Sequence, residues 1–295
     1  MRYFSPFSIK TIVETINASW LLIIMTGILL LAGVQRISAQ ITPPGLSNTK
    51  IISWMAVGLE QSIDSAQNWQ SNSFIGYGRM SNPEGSYDLF KKPSIWVLNE
   101  EIKRKLSKHF NVTGGLSLRK QYIYEKTAPY HKAASDIKKE LMLYGILSYG
   151  WSRSPIKWNL DFRPEYRTFY MPEFSSTDTR KAFRARFKLR SMIPLTANRE
   201  HTLIFYAESL FQNKMTKIKP KDDAGNNTQQ PDAINSKNNW SGFGYEDSYF
   251  CGFYRYAPAA LPFYAEIGYM NNLVGSNPSY TMHHIALDII FKDIF

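Results

Sequence analysis

The sequence predicts an all-β fold, an antiparallel up-and-down transmembrane β-barrel of about 10–12 strands. Three observations predict it: strict period-2 alternation of apolar and charged residues, an export leader, and connections that alternate between short and long. The alternation is clearest at Ile156 to Thr168. There Ile156, Trp158, Leu160, Phe162, Pro164 and Tyr166 fall on one side, and Lys157, Asn159, Asp161, Arg163, Glu165 and Arg167 on the other. Successive strand residues point to opposite faces, so one face is apolar and the other polar throughout. Behind an export leader, the apolar face of such a strand is expected to meet lipid and the charged face to line the interior.

The leader is read over residues 1–39. Arg2 and Lys10 form a basic start, Trp20 to Val34 an apolar run, and Ile37-Ser38-Ala39 a small-residue cleavage site, so cleavage is expected after Ala39. The run is shorter than a spanning helix requires, and with no Cys at the cleavage point a lipoprotein anchor is not expected. The expected location is the outer membrane of a diderm bacterium. The remaining chain, 40–295, is read as one barrel domain that keeps 32 basic against 23 acidic residues, a net charge of +9. For an exported chain, that balance points to anionic headgroups or small anionic solutes rather than nucleic acid. The single cysteine, Cys251, has no internal disulfide partner and reads as a small packing residue.

Strand patterns run over 51–62, 69–79, 94–106, 109–124, 138–152, 156–169, 181–194, 200–212, 245–257, 261–272 and 282–293. Short turns are expected at 64–68, 106–110, 152–155, 196–199 and 258–262. Longer polar connections are expected at 81–93, 126–137, 171–180, 215–239 and 273–280. That asymmetry fits periplasmic turns and external loops. The count of eleven sits against the usual even number, so either one segment merges two strands or one lies outside the wall. In 95–106, Glu100 and Glu101 precede Arg104 and Lys105 at helical spacing, yet the segment is assigned as a strand. Residues 215–239, rich in Lys, Asp, Asn and Gln, read as an external loop.

At the end of the chain Leu287, Ile289, Phe291 and Phe295 share one face, which resembles the C-terminal signature by which outer-membrane barrels are recognised for assembly. Asp293 stands where that pattern usually has an apolar residue. The assembly machinery is therefore an expected partner, through Phe291 and Phe295. The order of segments also resembles the uncharacterised domain of unknown function 2490 family. It does so through Trp54 to Glu60, Phe187 to Leu195 with Leu203 to Asn213, and Tyr264 to Asn271. That resemblance implies a barrel and no known activity.

The functional candidates are charged. Arg184, Arg186, Lys188 and Arg190 alternate with Phe183, Ala185, Phe187 and Leu189, and four cations cannot share a lipid-facing row. They are expected inside, opposite Lys157, Asp161, Arg163, Glu165, Arg167 and Glu208, either paired as a plug or lining an anion-preferring diffusion channel. An envelope-modifying barrel hydrolase or acyltransferase is the alternative, but no GxSxG motif accompanies the abundant serines. His109, His131, His201, His283 and His284 are expected at surfaces or interfaces, and the adjacent pair cannot chelate one metal from one strand. No catalytic residue, metal or cofactor is assigned. Tyr122, Tyr124, Tyr149, Trp151, Trp158, Phe169, Tyr170, Tyr254 and Tyr256 are read as headgroup-level girdles. Asp64-Ser65-Ala66 also resembles an O-glycosylation acceptor.

Overall fold

The computed structural model describes residues 49–82, 87–125, 128–170, 177–217, 238–275 and 281–294. The leader, its cleavage point, Phe295 and most of the long 215–239 connection lie outside them. The described strands are β1 (Ile51–Ser62), β2 (Trp69–Met80), β3 (Lys92–Lys105), β4 (Phe110–Tyr124), β5 (Lys132–Arg153) and β6 (Ile156–Tyr170). They continue as β7 (Thr177–Pro194), β8 (His201–Lys217), β9 (Asn238–Trp240), β10 (Gly244–Tyr256), β11 (Phe263–Val274) and β12 (Thr281–Lys292).

Each strand from β1 to β8 pairs antiparallel with the next, β8 pairs with β10, and β10, β11 and β12 continue the meander. The wall closes where β12 meets β1 in parallel, with Ile51 opposite His283 and Glu60 opposite Lys292. Eleven strands therefore form a closed barrel, and the three-residue β9 only extends β8 beyond the wall. The odd count needs neither a merged strand nor a displaced one. In an up-and-down barrel with an odd number of strands, the first and last run the same way, and a parallel seam closes the ring.

Strand bounds follow the alternation closely, with three departures at the rim of the longer connections. β5 starts at Lys132, β7 starts at Thr177 and β8 ends at Lys217, each beyond the alternating stretch. These extensions are polar, so the apolar signal ends before the ladder does. Asn238 to Trp240, expected within a loop, pair with Met215 to Lys217. In β3 the helical spacing of Glu100 and Arg104 loses to ladders on both sides, which satisfy the backbone of the whole segment.

The two faces of the wall are opposite in character. On β6, Leu160 is 45 % exposed and Phe162 38 %, whereas Asp161 is 7 % exposed and Glu165 1 %. Met55, Ile75, Leu98, Leu143, Phe187, Phe250 and Ile267 are likewise outward and exposed. Inside, three large rings lie across glycines of the next strand. A Cβ on Gly115 would meet Tyr144 Cζ at 2.3 Å, one on Gly268 would meet Phe253 Cδ1 at 2.2 Å, and one on Gly76 would meet Trp54 Cζ2 at 2.2 Å. Only a residue without a side chain lets those rings fold flat against the wall.

Candidate functional site

The inward rows of β4 to β8 form the site, and ladder register sets which charges meet. Between β6 and β7, Arg163 faces Arg186, Glu165 faces Arg184 and Asp161 faces Lys188. Between β7 and β8, Lys188 faces Glu208 and Arg184 faces Gln212. Long side chains reach one step diagonally, so Arg186 and Arg190 pair off register, whereas Lys188 with Glu208 and Arg184 with Gln212 keep it.

At the centre is Arg186, 4 % exposed. Its Nε lies 2.7 Å from Glu165 Oε1, and its Nη1 donates to Glu208 Oε1 at 2.7 Å. Glu165 also holds Arg163 Nε at 2.9 Å, and Glu208 holds Lys188 Nζ at 3.4 Å. The resulting chain of alternating charge runs Arg163, Glu165, Arg186, Glu208, Lys188. Around it, Arg190 Nη2 lies 3.2 Å from Asp161 Oδ2, and Ser148 Oγ donates to Asp161 Oδ1 at 2.6 Å. Arg167 grips Glu140 in a two-point ion pair, through Nε at 2.6 Å and through Nη2. Arg184 Nε donates to the neutral Gln212 Oε1 at 2.7 Å. Lys157 occupies the same inward row at the turn end of β6, half-buried.

Several members were not singled out from the sequence. Glu140 and Arg119 complete the upper part of the row, and Arg163 stacks its guanidinium over the Tyr144 ring at 3.8 Å. The Tyr144 hydroxyl donates to Glu101 Oε1 at 2.7 Å and lies 2.9 Å from the Asn99 side-chain amide, tying β3 to β5 across the interior. Parity was the available signal. Thr113, Gly115, Ser117 and Arg119 alternate with Leu116 and Leu118 in β4, just as the charged row of β6 alternates with its apolar one.

Across the ring, β11, β12 and β1 present a different surface. Glu266 pairs with Arg255, while Asp288 is 1 % exposed beside the Trp54 side chain. His284 departs from the expected surface placement. It is fully buried between Met270 and Ile52, whereas His283 points outward and meets the Tyr269 hydroxyl at 2.5 Å. His284 turns inward because it has the same parity as Met282, Ala286 and Asp288. Cys251 is buried on the inward face beside Met270.

The aromatic rows are outward with one exception. Tyr149, Trp151 and Trp158 stack in sequence at the short-turn rim, with centroids 5.7 and 6.2 Å apart. Tyr254 and Tyr256 lie at the same rim, with His201 stacked between them. Tyr122, Tyr124 and Tyr170 lie at the other. Phe169 does not belong to this girdle, because its parity turns it inward, where it is 6 % exposed and lies under the Arg167 guanidinium. Phe291 is outward, with its ring 6.3 Å from that of Phe263. Among the described residues no group of three or more His, Cys, Asp or Glu is placed to hold a metal, and no helix is long and apolar enough to cross a membrane.

A family model described as protein of unknown function (DUF2490) matches residues 52–225 of this chain. No curated protein matches it.

Proposed function

The chain belongs to the DUF2490 family of proteins of unknown function, and from that premise we propose a structural outer-membrane barrel, without catalysis, whose interior is held shut by paired charges. A single observation carries the reading. Arg186 is withdrawn from water and bridged to Glu165 and Glu208, each of which holds a second cation. Charges that neutralise one another across a narrow interior fill it rather than advertise a field to solutes. The membrane location is supported by the exposed apolar rows, which would be costly in water, and by aromatic rings gathered at both rims.

A second reading, a small anion-preferring diffusion path, has one observation in its favour. Cations outnumber carboxylates on the inward rows of β6 to β8, and Arg184 meets only a neutral amide among the partners described above. The enzyme reading has less support, since His284 is sealed among Met and Ile side chains and the other histidines of the strands point outward. Membrane fractionation with a heat-modifiability gel tests the location, and planar-bilayer recording of the purified protein tests the interior. Silence from a folded, inserted protein is expected. Discrete conductance steps with an anion preference that falls in Arg184→Gln would overturn the closed barrel in favour of the pore.

A further inference from the structure

Among the described residues, the outward face of the wall is largely apolar through its middle rows, with one carboxyl group among them. We infer that Glu100, on a platform of Ser71 and Ser73, is the docking point for a membrane-embedded segment of a different protein that presents a lysine or arginine at the same depth. The inference rests on the membrane reading above.

Glu100 points outward on β3 and is exposed, with Ser73 opposite it on β2 and Leu116 on β4. Its depth follows from its neighbours. Four residues towards one rim stands Trp96, whose ring is 4.4 Å from that of Tyr77; four residues towards the other stands Arg104, whose guanidinium lies 4.9 Å from the Trp69 ring. These two aromatic clusters mark the headgroup levels, and at roughly 3.3 Å per residue Glu100 is about 13 Å along the strand from each. A glutamate side chain cannot snorkel that far. An ionisable group in such a position is expected to meet a partner and to mark a function.

Among the described residues the carboxyl group is held by hydroxyls only. Ser71 Oγ donates to Oε1 at 2.7 Å, and Ser73 Oγ donates to Oε2. Two neutral donors orient the group and leave its charge uncompensated. The surface beside it is low, because Gly114 faces outward on β4 and an added Cβ there would meet nothing within 4 Å. Small residues let a neighbouring backbone approach closely in a membrane, and a polar group among them fixes the contact. Gly145 stands opposite Gly114 on β5, and larger apolar residues such as Met55, Leu143, Phe187 and Ile267 face outward elsewhere.

Charge complementarity selects the occupant. The outward lysines and arginines of the described strands, such as Arg104 and Lys120, stand level with the aromatic rims. A second copy of this chain therefore offers no cation at mid-depth, and acyl chains offer no donor. The complementing base has to come from another protein.

The test places a photo-crosslinking residue at Leu98, next to Glu100 in the outward column, and at Leu160, three strands away on β6, as reference. Both are run in intact membranes after a heat-modifiability gel. A discrete protein adduct is expected from Leu98 and not from Leu160. Its crosslinked peptide should lie in a membrane segment that carries Lys or Arg, and its yield should fall about tenfold or more in Glu100→Gln, as a charged hydrogen bond implies. Substituting that cation in the partner by Gln should lower the yield to the same extent. In protein that shows the mobility shift, lipid adducts alone, an adduct with a second copy, or a captured segment without a cation would overturn the inference. The last of these is decided on the wild-type chain, whether or not Glu100→Gln folds. A wild-type protein that is soluble and shows no shift would instead retire the membrane reading and the inference with it, before any crosslink is read.

Discussion

Replacing Arg186 by Gln removes the one cation shared by Glu165 and Glu208, and the structure sets the size of the effect. Breaking a buried ion pair by deleting one partner typically costs about 3–5 kcal/mol, because the remaining charge stays out of water. Here two carboxylates lose a partner, but neither is left alone: Glu165 keeps Arg163 at 2.9 Å, and Glu208 keeps Lys188 at 3.4 Å. The loss should therefore lie near the lower end, about 3 kcal/mol, or on the order of a hundredfold in the folding equilibrium. The reference is Glu246→Gln, which removes a pair to Lys214 whose side chains are 30 % and 50 % exposed and should cost no more than about 1 kcal/mol. Urea unfolding of the lipid-reconstituted barrel, followed by tryptophan fluorescence, measures both. A stability change within about 1 kcal/mol for Arg186→Gln, together with a shifted reversal potential, would refute the reasoning and favour a hydrated, ion-selective interior.

Gly115→Ala should lower the same unfolding midpoint by about 1–3 kcal/mol, because the new methyl drives Tyr144 off the wall and away from Glu101 and Asn99; an unchanged midpoint would mean that the ring does not lie there. Cys251, buried on the inward face, should resist a membrane-permeant maleimide in the folded barrel and react fully after boiling, and equal rates would contradict its placement. In the turn between β7 and β8, the exposed Glu200 carboxylate accepts the Ala259 N–H at 2.9 Å, a bond that holds its carboxyl below the ordinary glutamate value. Its contribution is therefore present above the unfolded-chain pKa and lost as pH falls through the folded one, so Glu200→Gln should differ from wild type at neutral pH and converge with it in acid. Odd parity puts the start of β1 and the end of β12 at opposite rims, so an epitope inserted before Thr49 should be reached on intact cells and one after Phe295 only after permeabilisation, if the short turns face the periplasm.

The wall was legible because alternation reports pleat directly. β1 begins and ends with its pattern, and the short turns at 64–68 and 258–262 fall between alternating segments that leave no other place for them. Parity also assigns faces, which is why Phe169 is misread when it is grouped with Tyr170: neighbours on a strand cannot both join an outward girdle. What alternation does not report is register. Glu165 and Arg184 are direct neighbours in the ladder, yet Glu165 pairs with Arg163 and Arg186, because side-chain length and the diagonal offset decide contacts that strand-by-strand reading leaves open. The burial of Asp288 and His284 was invisible for the same reason, since their surroundings come from β11 and β1, far away in the chain.

The parallel seam explains a residue that fits the C-terminal signature poorly. Parallel ladders have slanted bonds and are slightly weaker per residue than antiparallel ones, so the join of β12 to β1 is the weakest pairing of the wall on geometry alone. It is also the most distant in sequence, which makes it the last that loop-closure entropy allows to form. Bonds beyond the ladder extend the join at both rims. At one rim the His283 N–H donates to the Lys50 carbonyl at 2.9 Å. At the other rim, Asp293 Oδ1 accepts the Ser62 N–H at 2.6 Å across 231 residues of sequence, while the Asp293 N–H donates to the Glu60 carbonyl at 2.8 Å. An aromatic or aliphatic side chain at position 293 could not accept that Ser62 bond. The polar residue at 293 thus serves the parallel seam that an eleven-strand wall imposes.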